Sequence, residues 1–215
     1  TADVRQISWI VRRFLSAWPT FEHGAVSSTA IVFVKAVTEF AEARHAGRPP
    51  VRPRYRPGRK QAIRSLVSGE RTLDVTQIAP LLARGLVALA EFDDQAQLKQ
   101  ASILATVAAA PERVLQVITG VESLPEFVPT TAKVVVRRRQ GDLVEYQHWM
   151  KMPLVELEMH MQMRRSGRRV ALRALPSGDL SSQSSGWEVL PGAAPGTSTM
   201  LYYLSYDPGE IAWFV

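Results

Sequence analysis

Apolar positions follow two different periods along this chain, and the period changes near residue 97. Ahead of that point the spacing is helical. Ile7, Ile10, Val11, Phe14, Leu15 and Trp18 form the stripe of an amphipathic helix over residues 5–18, and Pro19 ends or kinks it. A second helix is expected over about 27–45. Ala30, Val34, Val37 and Ala41 share one face, with Phe33, Ala36 and Phe40 beside them, and Gly47 followed by Pro49-Pro50 stops it. Residues 61–68 carry a short helical pattern. Residues 75–90 read as mostly helical or mixed, interrupted by Pro80 and Gly85.

Beyond residue 97 the alternation is that of strands. Residues 97–108 read as a strand. A short helix with Pro111 in its first turn and a second over 121–127 follow. Six more strands are expected over 133–139, 143–152, 155–165, 169–175, 181–190 and 197–206, separated by Gly141-Asp142, Pro153, Ser166-Gly167 and the turn of 191–196. In the strand of 155–165, Val155, Leu157, Met159, Met161 and Met163 point one way and Glu156, Glu158, His160 and Gln162 the other. One face is therefore dry and the other wet. Methionines in succession on the dry face suit a soft, adaptable wall as well as an ordinary core.

The formal net charge of +6 is concentrated in one place. Between Arg48 and Arg64 there are seven Arg or Lys, four prolines and no acid, and the remainder of the chain is near neutral. The prolines favour extended backbone, so this stretch reads as a semi-rigid solvated spacer or as a patch for weak contact with anionic membranes. No nucleic-acid surface is expected, because Arg137, Arg138 and Arg139 interleave with no aromatics. The chain has no cysteine, which excludes disulfides and thiolate metal sites and leaves the compartment open. A cytoplasmic protein is the simplest reading, with a periplasmic or exported one as the alternative.

Catalytic chemistry is sparse. The four histidines lie in different segments without metal-ligand spacing, so neither a metal nor a cofactor is expected. His160 reads as solvated. His148 alternates with Val144, Tyr146, Met150 and Met152 and so faces inward, as a buried polar group or as a weak candidate for a general base.

Three phrases then resemble a known family. They are the opening Ala108-Ala-Ala-Pro-Glu-Arg-Val-Leu-Gln-Val-Ile-Thr-Gly-Val-Glu-Ser-Leu-Pro-Glu-Phe-Val-Pro129, the strand Gly186-Trp-Glu-Val189, and Gly196-Thr-Ser-Thr-Met-Leu-Tyr-Tyr-Leu-Ser-Tyr-Asp-Pro208. In this order they resemble the START / polyketide cyclase–dehydrase (SRPBCC) superfamily, nearest its cyclase/dehydrase and coenzyme-Q-binding branch. The resemblance implies an α+β helix-grip fold, in which a curved antiparallel sheet grips a long helix across a cavity. It places Met200, Tyr202, Leu204 and Tyr206 on the cavity face. Tyr202, Leu204 and Tyr206, with Tyr146, His148 and Met150 from the sheet and Phe33 and Val37 from the helix of 27–45, make the expected ligand-binding set.

The organisation follows from a further pattern. Asp3-Val-Arg-Gln-Ile-Ser-Trp-Ile-Val11 is echoed by Asp207-Pro-Gly-Glu-Ile-Ala-Trp-Phe-Val215. The alternatives are a piece of a tandem protein, or two unrelated helix starts. The first assigns residues 1–47 to a segment resembling the family's C-terminal lid helix, 48–64 to the basic linker, 65–95 to a helical connector and 96–215 to a module whose own last helix is cut short. The segment over 3–44 is then the substitute lid, docked in its own chain or swapped within a homodimer. Two functions remain: binding or transport of a hydrophobic small molecule (lipid, sterol, quinone or polyketide-like), or a cyclase/dehydrase-like enzyme. The first is favoured, because inward ionisable groups are few. A structural module that grips a partner through its linker is a third, less favoured reading.

Overall fold

From residue 98 onward the period-two alternation becomes hydrogen-bonded sheet. The computed structural model describes residues 19–49, 75–92, 98–151, 156–179 and 183–205. The helix of 5–18, the basic stretch beyond Pro49, Tyr206 and both copies of the terminal repeat lie outside them.

Helix α1 spans Pro19–His45, so it starts well ahead of residue 27. Pro19 opens it, since a proline's missing N–H is no loss in a helix's first turn. Helix α2 (Val75–Leu82) is short. The connector expected to be helical through residue 95 is a correction: Gly85, at φ +131°, ends the turn after α2, and Val87–Phe92 is strand β1. Its residues alternate in the strand sense. Val87 and Leu89 pack outward against Ile78 and Leu82 of α2, while Ala88 and Ala90 join the main core.

The chain continues through β2 (Leu98–Val107), α3 (Pro111–Thr119), a 3-10 turn (Val121–Ser123) and α4 (Leu124–Phe127). Then come β3 (Thr131–Gln140), β4 (Leu143–Lys151), β5 (Glu156–Ser166), β6 (Arg169–Ala174), β7 (Ser184–Pro191) and β8 (Ser198–Ser205). All lie in one antiparallel sheet of order β1-β2-β8-β7-β6-β5-β4-β3. The β3–β4 and β5–β6 connections are two-residue hairpins, led by Gly141 at φ +56° and Gly167 at φ +58°. That left-handed backbone suits a tight hairpin and favours glycine. Two register shifts in β3, between Thr131 and Lys133 and between Val136 and Arg138, bend the edge strand.

The sheet curls around α1. In a flat sheet four strand steps of about 4.8 Å would put β4 roughly 19 Å from β8. Yet Tyr146 of β4 and Tyr202 of β8 share one core and are close enough for their hydroxyls to interact electrostatically. Helix α1 lies on the inner face against β2, β8, α3 and α4. Val34, Ala36, Val37, Phe40 and Ala41 are buried. Phe40 stacks on Phe127 with ring centroids 4.1 Å apart, and Glu42 accepts a hydrogen bond from the Ala108 amide at 2.9 Å. The architecture is α+β and helix-grip: a curved antiparallel sheet closed on a helix. No helix among the described residues is long and apolar enough to cross a membrane.

Candidate functional site

Alternation along the strands decides which side chains reach the interior. On β4 it buries Val144, Tyr146 and His148 and half-buries Met150; on β5 it buries Leu157, Met159, Met161 and Met163. On β8 it buries Ser198, Met200, Tyr202 and Leu204. From α1, Val37 is buried and Phe33 packs partly buried at its edge. Seven of the eight expected ligand-binding residues thus face one interior; Tyr206 lies outside the described residues. Phe33 leans on Trp187 (5.5 Å between centroids) and on Tyr202 (5.7 Å), and Trp187 on Tyr202 (4.3 Å). These rings pack against one another between α1 and the β7–β8 part of the sheet.

The polar groups inside are few and neutral. Among the described residues the buried polar residues are Thr131, His148, Ser185 and Ser198, joined by the hydroxyls of Tyr146, Tyr202 and Thr38. His148 Nε2 and Thr131 Oγ1 are hydrogen-bonded at 2.9 Å. Burial lowers the His148 pKa from 6.5 to about 4, so the imidazole is uncharged at neutral pH. Burial also pushes the Tyr202 hydroxyl up to about 12, partly opposed by its hydrogen bond with Ser185. Tyr146 is raised further, first by burial and then by Tyr202. The Tyr146 and His148 ring centroids are 6.5 Å apart. On α1 the Thr38 hydroxyl is buried without a partner.

Trp187, Thr131 and Ser185 were not among the expected site residues. Alternation of Ser185, Trp187 and Val189 along β7 carries the signal for two of them. Thr131 reaches His148 only because the first bulge of β3 sets the register there, which no local pattern reveals. His160 lies on the outer face as expected, but in a hydrogen-bonded network rather than free in solvent. A pocket of about 190 Å³ opens between α1 and α3, beside Phe40, Arg44 and Arg113, and includes none of the expected residues.

Residues 107–213 match the model of the family described as polyketide cyclase / dehydrase and lipid transport. Over those residues the module is similar to that family. Similar solved structures include the Zhui aromatase/cyclase from Streptomyces sp. R1128, 15% identical with a TM-score of 0.47, covering 51% of this chain and 67% of that one. A START superfamily protein from Mycobacterium smegmatis is 14% identical with a TM-score of 0.47, covering 51% and 77%. A protein from Thermus thermophilus is 17% identical with a TM-score of 0.47, covering 50% and 73%. The chain matches none of the curated proteins. In this module, similar to the cyclase/dehydrase and lipid-transport family, the interior described above is the candidate site.

Proposed function

We propose that the module binds a hydrophobic small molecule between the inner sheet face and α1, with α1 as the lid. One observation carries the reading: the buried polar groups of the described interior are all uncharged at neutral pH. A buried carboxylate, phosphate or ammonium would meet no opposite charge there, and an unpaired buried charge is costly. A largely apolar ligand with one or two hydrogen-bonding oxygens, of the quinone, sterol or aromatic polyketide kind, suits the interior. Tyr146, His148 and Tyr202 orient its polar end, and Met159, Met161 and Met163 adapt to its body.

The second reading is a cyclase/dehydrase-like enzyme. It is supported by the family and by an inward, neutral His148 beside Tyr146. A base lowered to about 4 is a weak proton acceptor near neutral pH, and general acid–base catalysis is best served by a pKa near the working pH. That favours the binder. Native mass spectrometry of the purified chain, with solvent extraction of what co-purifies, tests the proposal. The expected result is an apolar ligand whose affinity falls modestly in His148→Ala and Tyr202→Phe, with no product formed by either variant or by the parent. Conversion by the parent that His148→Ala abolishes without loss of binding would replace the carrier with the enzyme. Binding of no apolar ligand would defeat both.

A further inference from the structure

On the outer face of the sheet, away from the interior, five side chains make a connected relay. Arg137 Nε donates to Gln147 Oε1 at 2.5 Å, which fixes the amide so that its Nε2 donates to Glu158 Oε1 at 2.6 Å. His160 Nε2 lies 2.8 Å from the same carboxylate oxygen. An unprotonated Nε2 could accept from Gln147 Nε2, 2.9 Å away, but it would set its lone pair against the Glu158 carboxylate. Gln147 already donates to that carboxylate, and the charged oxygen is the stronger partner, so Nε2 carries the hydrogen and donates it to Glu158. Nδ1 of the neutral ring is then the acceptor, and it faces the Ser177 hydroxyl at 2.5 Å.

The loop that carries Ser177 is held against β5. Leu175 N–H donates to His160 O at 2.6 Å, Asp179 N–H donates to Glu158 O at 2.7 Å, and Glu158 N–H donates to Asp179 Oδ2 at 2.7 Å. Gly178 lies so close to this strand that a Cβ would sit 2.7 Å from His160 N, so only glycine lets the loop approach. Nucleophile, base and orienting carboxylate are therefore placed by backbone contacts and not by flexible side chains alone.

We propose that Ser177 is an activated nucleophile that accepts the acyl group of activated esters, with His160 as its general base and Glu158 as the positioning residue that sets the tautomer. Ser177 Oγ bonds to the acyl carbon as its proton passes to His160 Nδ1. The tetrahedral adduct then breaks its bond to the leaving phenol or thiol, which takes that proton. Water, deprotonated by Nδ1, attacks the acyl-serine, releases the carboxylic acid and restores the hydroxyl. The Gly178 and Asp179 amides already donate to Leu175 O and Glu158 O. They give the oxyanion little help, which limits the substrates to aryl esters and thioesters and leaves amides untouched.

The test uses the full chain and p-nitrophenyl acetate, following nitrophenolate release and mapping the acetyl group by peptide mass spectrometry. Acetylation is expected on Ser177. Ser177→Ala and His160→Gln are each expected to lower the rate above background by about tenfold or more. Glu158→Gln should shift the pH midpoint of the reaction. Thermal unfolding should stay at the parent level in Ser177→Ala, which separates loss of the nucleophile from loss of the fold. Acetyl groups found on lysines alone, or an unchanged rate in a folded Ser177→Ala, would overturn the assignment.

Discussion

Burying an imidazole costs more when it is charged, and desolvation alone accounts for the lowered pKa of His148. The sign follows from that. Between pH 6.5 and about 4 the unfolded chain takes up a proton that the folded one refuses, so stability present above 6.5 is lost as pH falls through the folded value. A shift of this size amounts to on the order of 3 kcal/mol in full. Urea unfolding at a series of pH values should show that loss, and His148→Gln should flatten it; an unchanged slope would mean that His148 stays hydrated. Thr38 gives a second expectation. Its buried hydroxyl has no partner, so Thr38→Val should leave stability unchanged or raise it by about 1 kcal/mol in thermal unfolding. At this scale the site was partly legible. Alternation alone turned His148 inward and lined up the methionines of β5, whereas the partners Thr131 and Ser185 depend on contacts far apart in sequence.

At the scale of elements, the six strands after α4 were legible because polar turn residues and glycines bracket each run of alternation. Strand β1 was not. Its run Val87-Ala-Leu-Ala has little polar alternation, because α2 covers its outer face and the core its inner one, so both faces are apolar. A strand buried on both sides loses the period that separates it from a helix. The β7–β8 pair shows another contact hidden from local pattern. Gly186 lies opposite Tyr203, and the Tyr203 ring occupies the space that a Cβ at Gly186 would need. Gly186→Ala should therefore destabilise the protein, by about 1–3 kcal/mol if the ring cannot turn aside. Tyr203→Ala made together with it should recover part of that loss. A double-mutant cycle in denaturant measures the coupling, and strictly additive effects would mean that the two residues do not collide.

Over the whole molecule, the helix that the sheet grips comes before it in the chain. All of the residues between Pro49 and Val75 lie outside the described structure, yet α1 closes the same core as β2 to β8. The burial at stake is large. Val34, Val37 and Phe40 are almost wholly buried, Phe33 is partly so, and Phe127 would lose its stacking partner. At about 1.5–3 kcal/mol for each large apolar side chain, and counting the newly exposed inner face of β2 and β8, removing α1 costs on the order of 10 kcal/mol. That equals the whole stability of a typical domain, about 5–15 kcal/mol. A chain lacking residues 1–46 should accordingly be insoluble or molten, with near-ultraviolet dichroism lost while far-ultraviolet signal remains. Adding a peptide of residues 19–46 in trans should restore cooperative unfolding, because α1 meets the rest of the core through side chains, with Glu42 accepting from the Ala108 amide, and not through strand pairing. A truncated chain that is soluble and unfolds at the parent temperature would show that the sheet closes its core without α1, and the lid role would fall with it.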